Sequence, residues 1–314
     1  MAENTVKKIA TRESYGNSLK ELAEEFPNLV VLDADLAAAT KTGIFRKAYP
    51  DRHIDCGIAE ENMMGVAAGL SLVGKIPFVS SFAMFAAGRA FEQVRNSIGY
   101  PHLNVKIGAT HAGITVGEDG ATHQCNEDIA LMRTIPGMVV MCPSDDVEAR
   151  AAVRAALEYE GPVYIRFGRA AVPVINDHPG YHFEIGKGTV VRKGKDVTIV
   201  ATGICVDSAL GAAKMLEAEG ISAEVVNICT IKPLDEEIIL NSAKKTGKVV
   251  TVEEHSVIGG LGSAVCDCLC AHYPVPVKKV GMQDVFGESG SAAALVEKYG
   301  LDAKGVYKSV KEFL

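Results

Sequence analysis

The sequence predicts an α/β protein built from two doubly wound domains with mainly parallel sheets. Short runs of apolar and β-branched residues recur along the chain of 314 residues, as expected of strands buried in a parallel sheet. Longer segments with apolar residues at helical spacing lie between these runs. This alternation is the βαβ pattern of a parallel sheet covered by helices.

The first half contains strand and helix patterns in strict alternation. The predicted strands are LVVLDAD (29–35), IPFVSSF (76–82), NVKIGAT (104–110), MVVMCPS (138–144) and PVYIRF (162–167). The predicted helices are SYGNSLKELAEEF (14–26), EENMMGVAAGLSLV (60–73), GRAFEQVRNSIG (88–99) and DVEARAAVRAALEYE (146–160). In such sheets the functional groups gather at the carboxyl ends of the strands.

A segment rich in Pro, Gly, Asn and Asp, residues 171–188, interrupts this alternation and is typical of a linker. We therefore predict a first domain over residues 1–178, a linker over 179–189 and a second domain over 190–314. The elements predicted for the second half are the strands 196–203, 222–233 and 248–256 and the helices 208–220, 234–245 and one after Gly262.

Composition restricts the class of protein. A net charge of −7 disfavours a general nucleic-acid binder, which has basic clusters. No apolar run approaches the ~18 residues that span a bilayer, and residues 1–16 lack the apolar core of a signal peptide. We predict a cytoplasmic protein that binds neither nucleic acid nor membrane.

The eight cysteines favour reduced thiols over a disulfide framework. Cys142 and Cys229 lie in apolar strand patterns, where buried thiols are common. Cys266, Cys268 and Cys270 follow a C-x-C-x-C spacing, and on a helix such residues point in different directions. We therefore predict no metal site at these cysteines.

Glu60 opens a predicted helix that is apolar nearly all round. One interpretation is a first-turn carboxylate that complements the helix dipole, worth ~0.3–1 kcal/mol. The other is a carboxylate in a poorly solvated pocket that shares a proton with a ligand nitrogen. Phe82, Phe85 and Phe91 are likewise either core residues or a slot for a flat heteroaromatic ring.

The loop GEDGATHQ (117–124) concentrates ionisable groups and has a further histidine upstream, His111. His111 and His123 with two loop acids could bind a metal, but metal histidines usually come at H-x-x-x-H spacing or with cysteine. Polar groups directed at a hydroxylated or phosphorylated substrate fit a glycine-punctuated loop better.

Taken together, these motifs resemble the C-terminal half of transketolase, a thiamine-diphosphate-dependent family. The matching segments are ATRES (10–14), DADL (33–36), GIAEEN (57–62), FAMF (82–85), IGATHAGITVGEDGATHQ (107–124) and most of the second half from FEIGKG (183–188) onward. The resemblance implies a pyrimidine-binding domain followed by a transketolase C-terminal domain. It also implies transfer of a two-carbon ketol unit from a ketose phosphate to an aldose phosphate through a thiamine diphosphate carbanion.

The resemblance also implies roles for individual residues. Glu60 would bind N1′ of the aminopyrimidine, and Phe82 and Phe85 would stack on that ring, with Asp35 near the cofactor. The residues implied in substrate binding are Arg12, His111 and Arg166 at the phosphate and Asp119 and His123 at the hydroxyls, with His111 and His123 also implied in catalysis.

Two positions depart from the family pattern. Ala39 stands where the family has a serine that helps to bind phosphate. Gly88 stands where the family has a third pocket aromatic, and Phe91 is a candidate replacement. These departures bear on phosphate recognition and sugar preference.

The chain lacks the Gly-Asp-Gly…Asn motif of the family's diphosphate-binding domain. The resemblance therefore implies a split enzyme, whose N-terminal partner subunit supplies the Mg²⁺ and diphosphate site, in a dimer of heterodimers. Two related thiamine enzymes remain alternatives, a deoxyxylulose-phosphate synthase and the beta subunit of a 2-oxo-acid dehydrogenase. A non-catalytic α/β binding protein is the third alternative.

Overall fold

The computed structural model describes residues 7–314 of the chain. The strands are β1 (Lys8–Ala10), β2 (Leu29–Asp33), β3 (His53–Asp55), β4 (Ile76–Phe82), β5 (Lys106–Thr110), β6 (Val139–Met141), β7 (Val163–Arg166), β8 (Ala171–Pro173), β9 (Thr189–Arg192), β10 (Val197–Ala201), β11 (Ala223–Asn227), β12 (Thr230–Lys232), β13 (Val249–Ser256) and β14 (Val277–Met282).

The helices alternate with these strands over most of the chain. They are α1 (Thr11–Leu22), α2 (Ala37–Thr40), α3 (Gly43–Ala48), α4 (Glu60–Leu72), α5 (Phe91–Gln93), α6 (Asp128–Arg133), α7 (Asp146–Glu158), α8 (Cys205–Glu217), α9 (Glu236–Thr246), α10 (Leu261–His272), α11 (Ala292–Lys298) and α12 (Ala303–Phe313). Two π-helical segments, Met84–Arg89 and Val94–Gly99, flank α5.

The larger sheet has seven strands in the order β12-β6-β7-β5-β4-β2-β3. Its neighbours are parallel except for β12, which pairs antiparallel with β6. Strand β12 comes from the second half of the chain, whereas the other six strands come from the first half. The register sets Phe82 beside Thr110 and Ala109 beside Arg166, so the carboxyl ends of β4, β5 and β7 meet at one edge.

The second half forms a five-stranded sheet in the order β14-β13-β10-β11-β9. Only the edge strand β9 runs antiparallel to its neighbour within this sheet. A small antiparallel pair, β1 with β8, joins the start of the described chain to the segment that follows β7. The predicted α/β class with mainly parallel sheets is confirmed.

Helices cover both faces of the larger sheet because its strands alternate between two cores. Leu32 of β2 faces a cluster with Met63 of α4, whereas its neighbour Val31 faces a cluster with Leu19 of α1 and Val153 of α7. Successive strand residues point to opposite faces, so a continuous apolar strand such as LVVLD requires helices on both sides. The five strands predicted for the first half are confirmed, whereas the strand predicted over 222–233 is two strands, β11 and β12, in different sheets.

The structure also differs from the sequence prediction. The segment predicted as one helix over 88–99 consists of α5 and π-helical turns. The Pro- and Gly-rich segment 171–188 begins with β8, and β9 begins at residue 189, the last residue of the predicted linker. The domain boundaries at 178 and 190 remain a prediction, and residues 1–6 of the first predicted domain lie outside the described range.

All eight cysteines are free, and Cys142 and Cys229 are buried. On α10, Cys268 is buried while Cys270 is exposed, so the three clustered cysteines do not share a direction. Among residues 7–314, no helix is both long enough and apolar enough to cross a bilayer.

Candidate active site

Glu60 is the first residue of α4 and is almost completely buried, with 1% of its surface exposed. This position suits a carboxylate because the helix dipole is positive at its N-terminus. Arg89 Nη1 donates to Glu60 Oε2 at 2.8 Å, and Ser81 Oγ donates to Oε1 at 3.5 Å. The Arg89 side chain is 43% exposed. The buried carboxylate therefore has a charged partner that itself remains partly in solvent.

An aromatic wall, formed by Phe82, Phe85 and His111, stands beside this carboxylate. Phe82 stacks on Phe85 with 5.9 Å between ring centroids, and His111 stacks on Phe82 at 3.9 Å. The Arg89 guanidinium lies 4.6 Å from the Phe85 centroid, so one arginine contacts both the wall and Glu60. Phe85 lies in a π-helical segment, a conformation frequent at functional sites.

Gly88 and Phe91 do not extend the wall. A Cβ at Gly88 would overlap the Met84 side chain, so that position has no room for an aromatic side chain without rearrangement of Met84. Phe91 begins α5 and packs, half-buried, against the core cluster beneath α4. Among the described residues, the ring pairs of Phe82 and Phe85 are with each other and with histidines. The structure therefore does not bring Phe91 to the wall.

His111 follows β5 in a left-handed conformation with φ 55° and is 3% exposed. Its Nε2 lies 3.1 Å from Arg12 Nη1, and its Nδ1 lies 2.9 Å from Thr110 Oγ1. Because a guanidinium only donates, Nε2 must accept and the ring proton of the neutral imidazole belongs on Nδ1. Burial and the Arg12 charge lower the pKa of His111 to about 3, so the ring is neutral at physiological pH.

Arg12 and Arg169 form a basic cluster around His111. Arg12 Nη1 donates to the carbonyl of Ala39 at 2.8 Å, while its Nε is buried without a partner. Burial lowers the pKa of Arg12, and the charge of Arg169 lowers it further. Arg169, which is 37% exposed, donates to the carbonyl of Val116 and pairs with Glu118 Oε2 at 3.2 Å. An unused buried donor on Arg12, with the charge of Arg169 nearby, is a suitable place for an anion.

Arg166 lies inside the protein and does not reach this cluster. Its Nε pairs with Asp128 at 2.9 Å, and its Nη2 donates to the carbonyls of Cys125 and Glu254 at 3.3 and 2.7 Å. The side chain is 5% exposed. The guanidinium expected at the phosphate is therefore occupied by internal partners, and Arg169, three residues further on, is the arginine that reaches the cluster.

The histidine loop, residues 111–124, carries two further predicted residues. His123 Nδ1 lies 2.9 Å from Thr122 Oγ1, and its ring meets the edge of Phe85 at 5.5 Å between centroids. Asp119 is exposed at the tip of the loop. His123 therefore lies beside the aromatic wall, while the Asp119 side chain is exposed to solvent.

Asp35 follows β2 in a left-handed conformation, with φ 59° and an exposed side chain. Its backbone N–H donates to Asp55 Oδ1 at 3.1 Å. The buried acid of this turn is Asp33, which accepts from the hydroxyls of Thr40 and Thr42 at 3.0 and 2.8 Å. The turn after β2 therefore presents Asp35 at the edge of the sheet where the strand ends meet.

The residues present fit the aminopyrimidine half of thiamine diphosphate. Glu60 offers a buried carboxylate to a ring nitrogen, and Phe82 with Phe85 offers a flat apolar wall. Within residues 7–314, no group of three or more His, Cys, Asp or Glu residues is arranged to hold a metal ion. These side chains thus match a flat heteroaromatic group and, at the basic cluster, an anion.

A buried glutamate beside stacked phenylalanines, at the carboxyl edge of a parallel sheet, defines a coenzyme-binding α/β enzyme domain followed by a second α/β domain. The family description "Transketolase, pyrimidine binding domain" matches residues 7–174, and "Transketolase, C-terminal domain" matches residues 186–306. The chain belongs to the transketolase family of transferases, and it corresponds to the C-terminal section found in split transketolases.

Similar proteins agree with this assignment. A solved structure of a split gene transketolase, an inactive beta4 tetramer, is 59% identical with a TM-score of 0.89, and the match covers 98% of both chains. The 6-deoxy-6-sulfo-D-fructose transketolase subunit of Clostridium sp. is 49% identical over 96% of this chain and 93% of its own length. Human transketolase is 36% identical, and 97% of this chain covers 49% of that protein.

Proposed function

We propose that this chain is the C-terminal subunit of a two-chain transketolase that transfers a two-carbon ketol unit from a ketose phosphate to an aldose phosphate. The observation that carries the proposal is the buried carboxylate of Glu60 beside the Phe82–Phe85 stack. The coverage of about half of human transketolase supports a partner subunit that holds Mg²⁺ and the coenzyme diphosphate.

Thiamine diphosphate, when bound, supplies the electron sink for cleaving the bond next to a ketose carbonyl. The Glu60 carboxylate would hold or move a proton at the pyrimidine ring nitrogen. For this, its ion pair with Arg89 would have to open. Phe82 and Phe85 orient the ring and exclude water from its face. A general acid or base placed in this way contributes about 10²–10⁴-fold to a rate.

The basic cluster binds the anionic end of the sugar. Arg12 and Arg169 supply paired donors, and the neutral His111 ring supports the Arg12 guanidinium through Nε2. His123 lies edge-on to Phe85 in the aromatic wall, and there it would meet substrate hydroxyls and the reacting oxygen. Relatives named for 6-deoxy-6-sulfo-D-fructose and apulose 4-phosphate support an anion-bearing donor.

We propose that the functional assembly is a dimer of heterodimers located in the cytoplasm. The solved split gene relative, an inactive tetramer of its beta chain alone, supports both self-association and inactivity without a partner. The free thiols support a reducing compartment.

Reconstitution tests the proposal. This chain is mixed with the candidate N-terminal subunit, thiamine diphosphate, Mg²⁺, xylulose 5-phosphate and ribose 5-phosphate. We expect sedoheptulose 7-phosphate and glyceraldehyde 3-phosphate, and no turnover from either subunit alone. Transfer by this chain alone would contradict the need for a partner. Coenzyme binding with pyruvate decarboxylation and no ketol transfer would favour the synthase alternative, to which a 40% identical relative belongs.

A further inference from the structure

The second domain holds the histidine loop through one buried carboxylate. Glu254, on β13, accepts a hydrogen bond from the backbone N–H of Thr115 at 2.6 Å between Oε1 and nitrogen. Thr115 lies in the short helical turn Ile114–Val116, between the two loop histidines. The carboxylate therefore fixes the backbone from which both histidines extend.

Apolar packing joins the same turn to the second domain. Ile114 is fully buried and belongs to the core cluster formed by β10, β13 and α8, together with Val252 and Leu295. At the other end of the loop, Gln124 Nε2 donates to the carbonyl of Glu288 at 2.9 Å. The loop is thus anchored at both ends by residues that follow the linker in sequence.

Glu254 is built into this position from several sides. It is 3% exposed, its carbonyl accepts from Arg166 Nη2 at 2.7 Å, and its Oε2 lies 3.8 Å from Arg166 Nη1. Gly113 approaches it so closely, at φ 73°, that a Cβ there would overlap the carboxyl group. Burial raises the pKa of the Glu254 carboxyl, and Arg166 and the Thr115 N–H oppose that rise.

We propose that Glu254 is a positioning residue for the transfer reaction: through the Thr115 N–H it sets the place of the histidine loop. The role of Arg166 is then to hold Glu254, which explains why that arginine is absent from the anion cluster. The kinetic consequence rests on the proposed function, whereas the effect on the loop can be measured without turnover.

Hydrogen exchange on the isolated full chain is the first test. Glu254→Ala removes the acceptor, and we expect the Thr115 amide region, residues 113–117, to exchange at least 10-fold faster than in the wild type. Glu254→Gln keeps an acceptor oxygen and should stay within 3-fold of the wild type. Glu224→Ala is the matched control, because Glu224 is a fully buried acid of the same domain that pairs with Lys245.

Kinetics of the reconstituted enzyme are the second test. For Glu254→Ala we expect a KM for the ketose phosphate at least 10-fold higher, while kcat/KM for hydroxypyruvate falls by a clearly smaller factor, because this donor would meet the loop only at its reacting oxygen. Hydroxypyruvate lacks the distal hydroxyls and phosphate that the loop would meet. Glu254→Gln should restore the KM for the ketose phosphate.

Three results would overturn the proposal. The first is unchanged hydrogen exchange at residues 113–117 in Glu254→Ala. The second is a general structural effect of that variant, seen either as global unfolding or as equal losses of kcat/KM with both donors. The third is a Glu254→Gln defect as large as that of Glu254→Ala, which assigns the effect to the ion pair. If wild-type subunits show no transfer at all, the proposed function fails, while the exchange experiment still decides the role of Glu254.

Discussion

Glu60 combines deep burial with a partner, Arg89, that is partly in solvent. An isolated buried carboxylate would be costly, and the helix N-terminus and the Arg89 guanidinium offset that cost. Because the Arg89 side chain is 43% exposed, exchanging this ion pair for a ligand nitrogen would need little rearrangement of the core. The pairing therefore suits a residue that binds a ligand as well as one that stabilises a helix.

Replacing Glu60 with Gln should abolish most activity and leave the fold intact. The amide cannot take up the ring proton, and we expect kcat of the reconstituted enzyme to fall by ~10²–10⁴-fold. Glu61→Gln, one residue further along the first turn of α4, is the matched control. Equal activity of Glu60→Gln and Glu61→Gln would show that Glu60 has no catalytic role.

Arg166 and Arg169 show that the sequence alone does not predict which arginine side chain reaches the basic cluster. Arg166 is the last residue of β7, and the sequence places it at the functional edge of the sheet. Its side chain instead meets Asp128, which lies far away in sequence at the start of α6. No local pattern reveals that buried partner. Arg169 lies three residues after the end of β7. Its position could have indicated it, because ligand-binding groups in such sheets lie beyond the carboxyl ends of the strands.

Arg169→Ala should weaken substrate binding selectively. A charge-assisted hydrogen bond is worth ~1.5–3 kcal/mol, so we expect KM for phosphorylated sugars to rise by ~10–150-fold, with kcat nearly unchanged. Arg192→Ala, which removes a partly exposed arginine of the second half, is the kinetic control. An unchanged KM in Arg169→Ala would remove this residue from the anion site.

The neutral, buried His111 should make stability depend on pH. The unfolded ring takes up a proton near pH 6.5, while burial lowers the native pKa to about 3. Stability is therefore complete above pH 6.5 and is lost as pH falls toward 3. Between pH 7 and 5, the wild type should lose about 2 kcal/mol more than His111→Gln in urea unfolding. His178→Gln, at an exposed position, should behave as the wild type, and parallel curves for wild type and His111→Gln would contradict the assignment.

At the scale of elements, strongly periodic segments were the predictable part of the fold. The continuous apolar run of β2 predicts a strand that is buried on both faces. The amphipathic pattern of α7 predicts a helix that is buried on one face. The π-helical turns around α5 have no such signal, since their apolar spacing is close to that of an α-helix. The histidine loop is likewise shaped by contacts with the second domain that no local pattern encodes.

Gly113→Ala tests how tightly that loop is packed. The substitution forces a side chain into a positive φ, which costs roughly 1–2 kcal/mol, and also drives a methyl group into the Glu254 carboxyl. Gly74→Ala is matched, because Gly74 has φ 81° but open space around its Cβ position. In denaturant unfolding we expect Gly113→Ala to lose clearly more stability than Gly74→Ala. Equal losses of stability in the two variants would show that the loop accommodates the added methyl group without extra cost.

At the scale of the whole molecule, the two halves share more than a linker. Strand β12 of the second half completes the edge of the larger sheet beside β6. The core cluster beneath α4 contains residues from both halves, such as Met63 and Leu261. Sequence alternation predicts two α/β units well, but it cannot show that a three-residue strand belongs to the other unit's sheet.

Separating the two halves of the chain at the linker should therefore expose a strand edge in the first half. Residues 7–178 expressed alone leave the β6 edge uncovered, and an open strand edge promotes association. We expect this fragment to aggregate in size-exclusion chromatography and to become soluble when co-expressed with residues 179–314. A soluble, monomeric fragment 7–178 would show that β12 is dispensable.

Residues 177–180 are exposed, so proteolysis of the intact chain there should yield halves that remain associated.

The shared strand also affects how the chain folds during synthesis. A ribosome releases the first six strands of the larger sheet well before it has made Thr230–Lys232. Until that point the nascent chain carries an unprotected β6, and domains usually fold as units in order of emergence. Completion of the larger sheet therefore has to wait until about three quarters of the polypeptide has been translated, which makes this interval the moment when a chaperone would matter most.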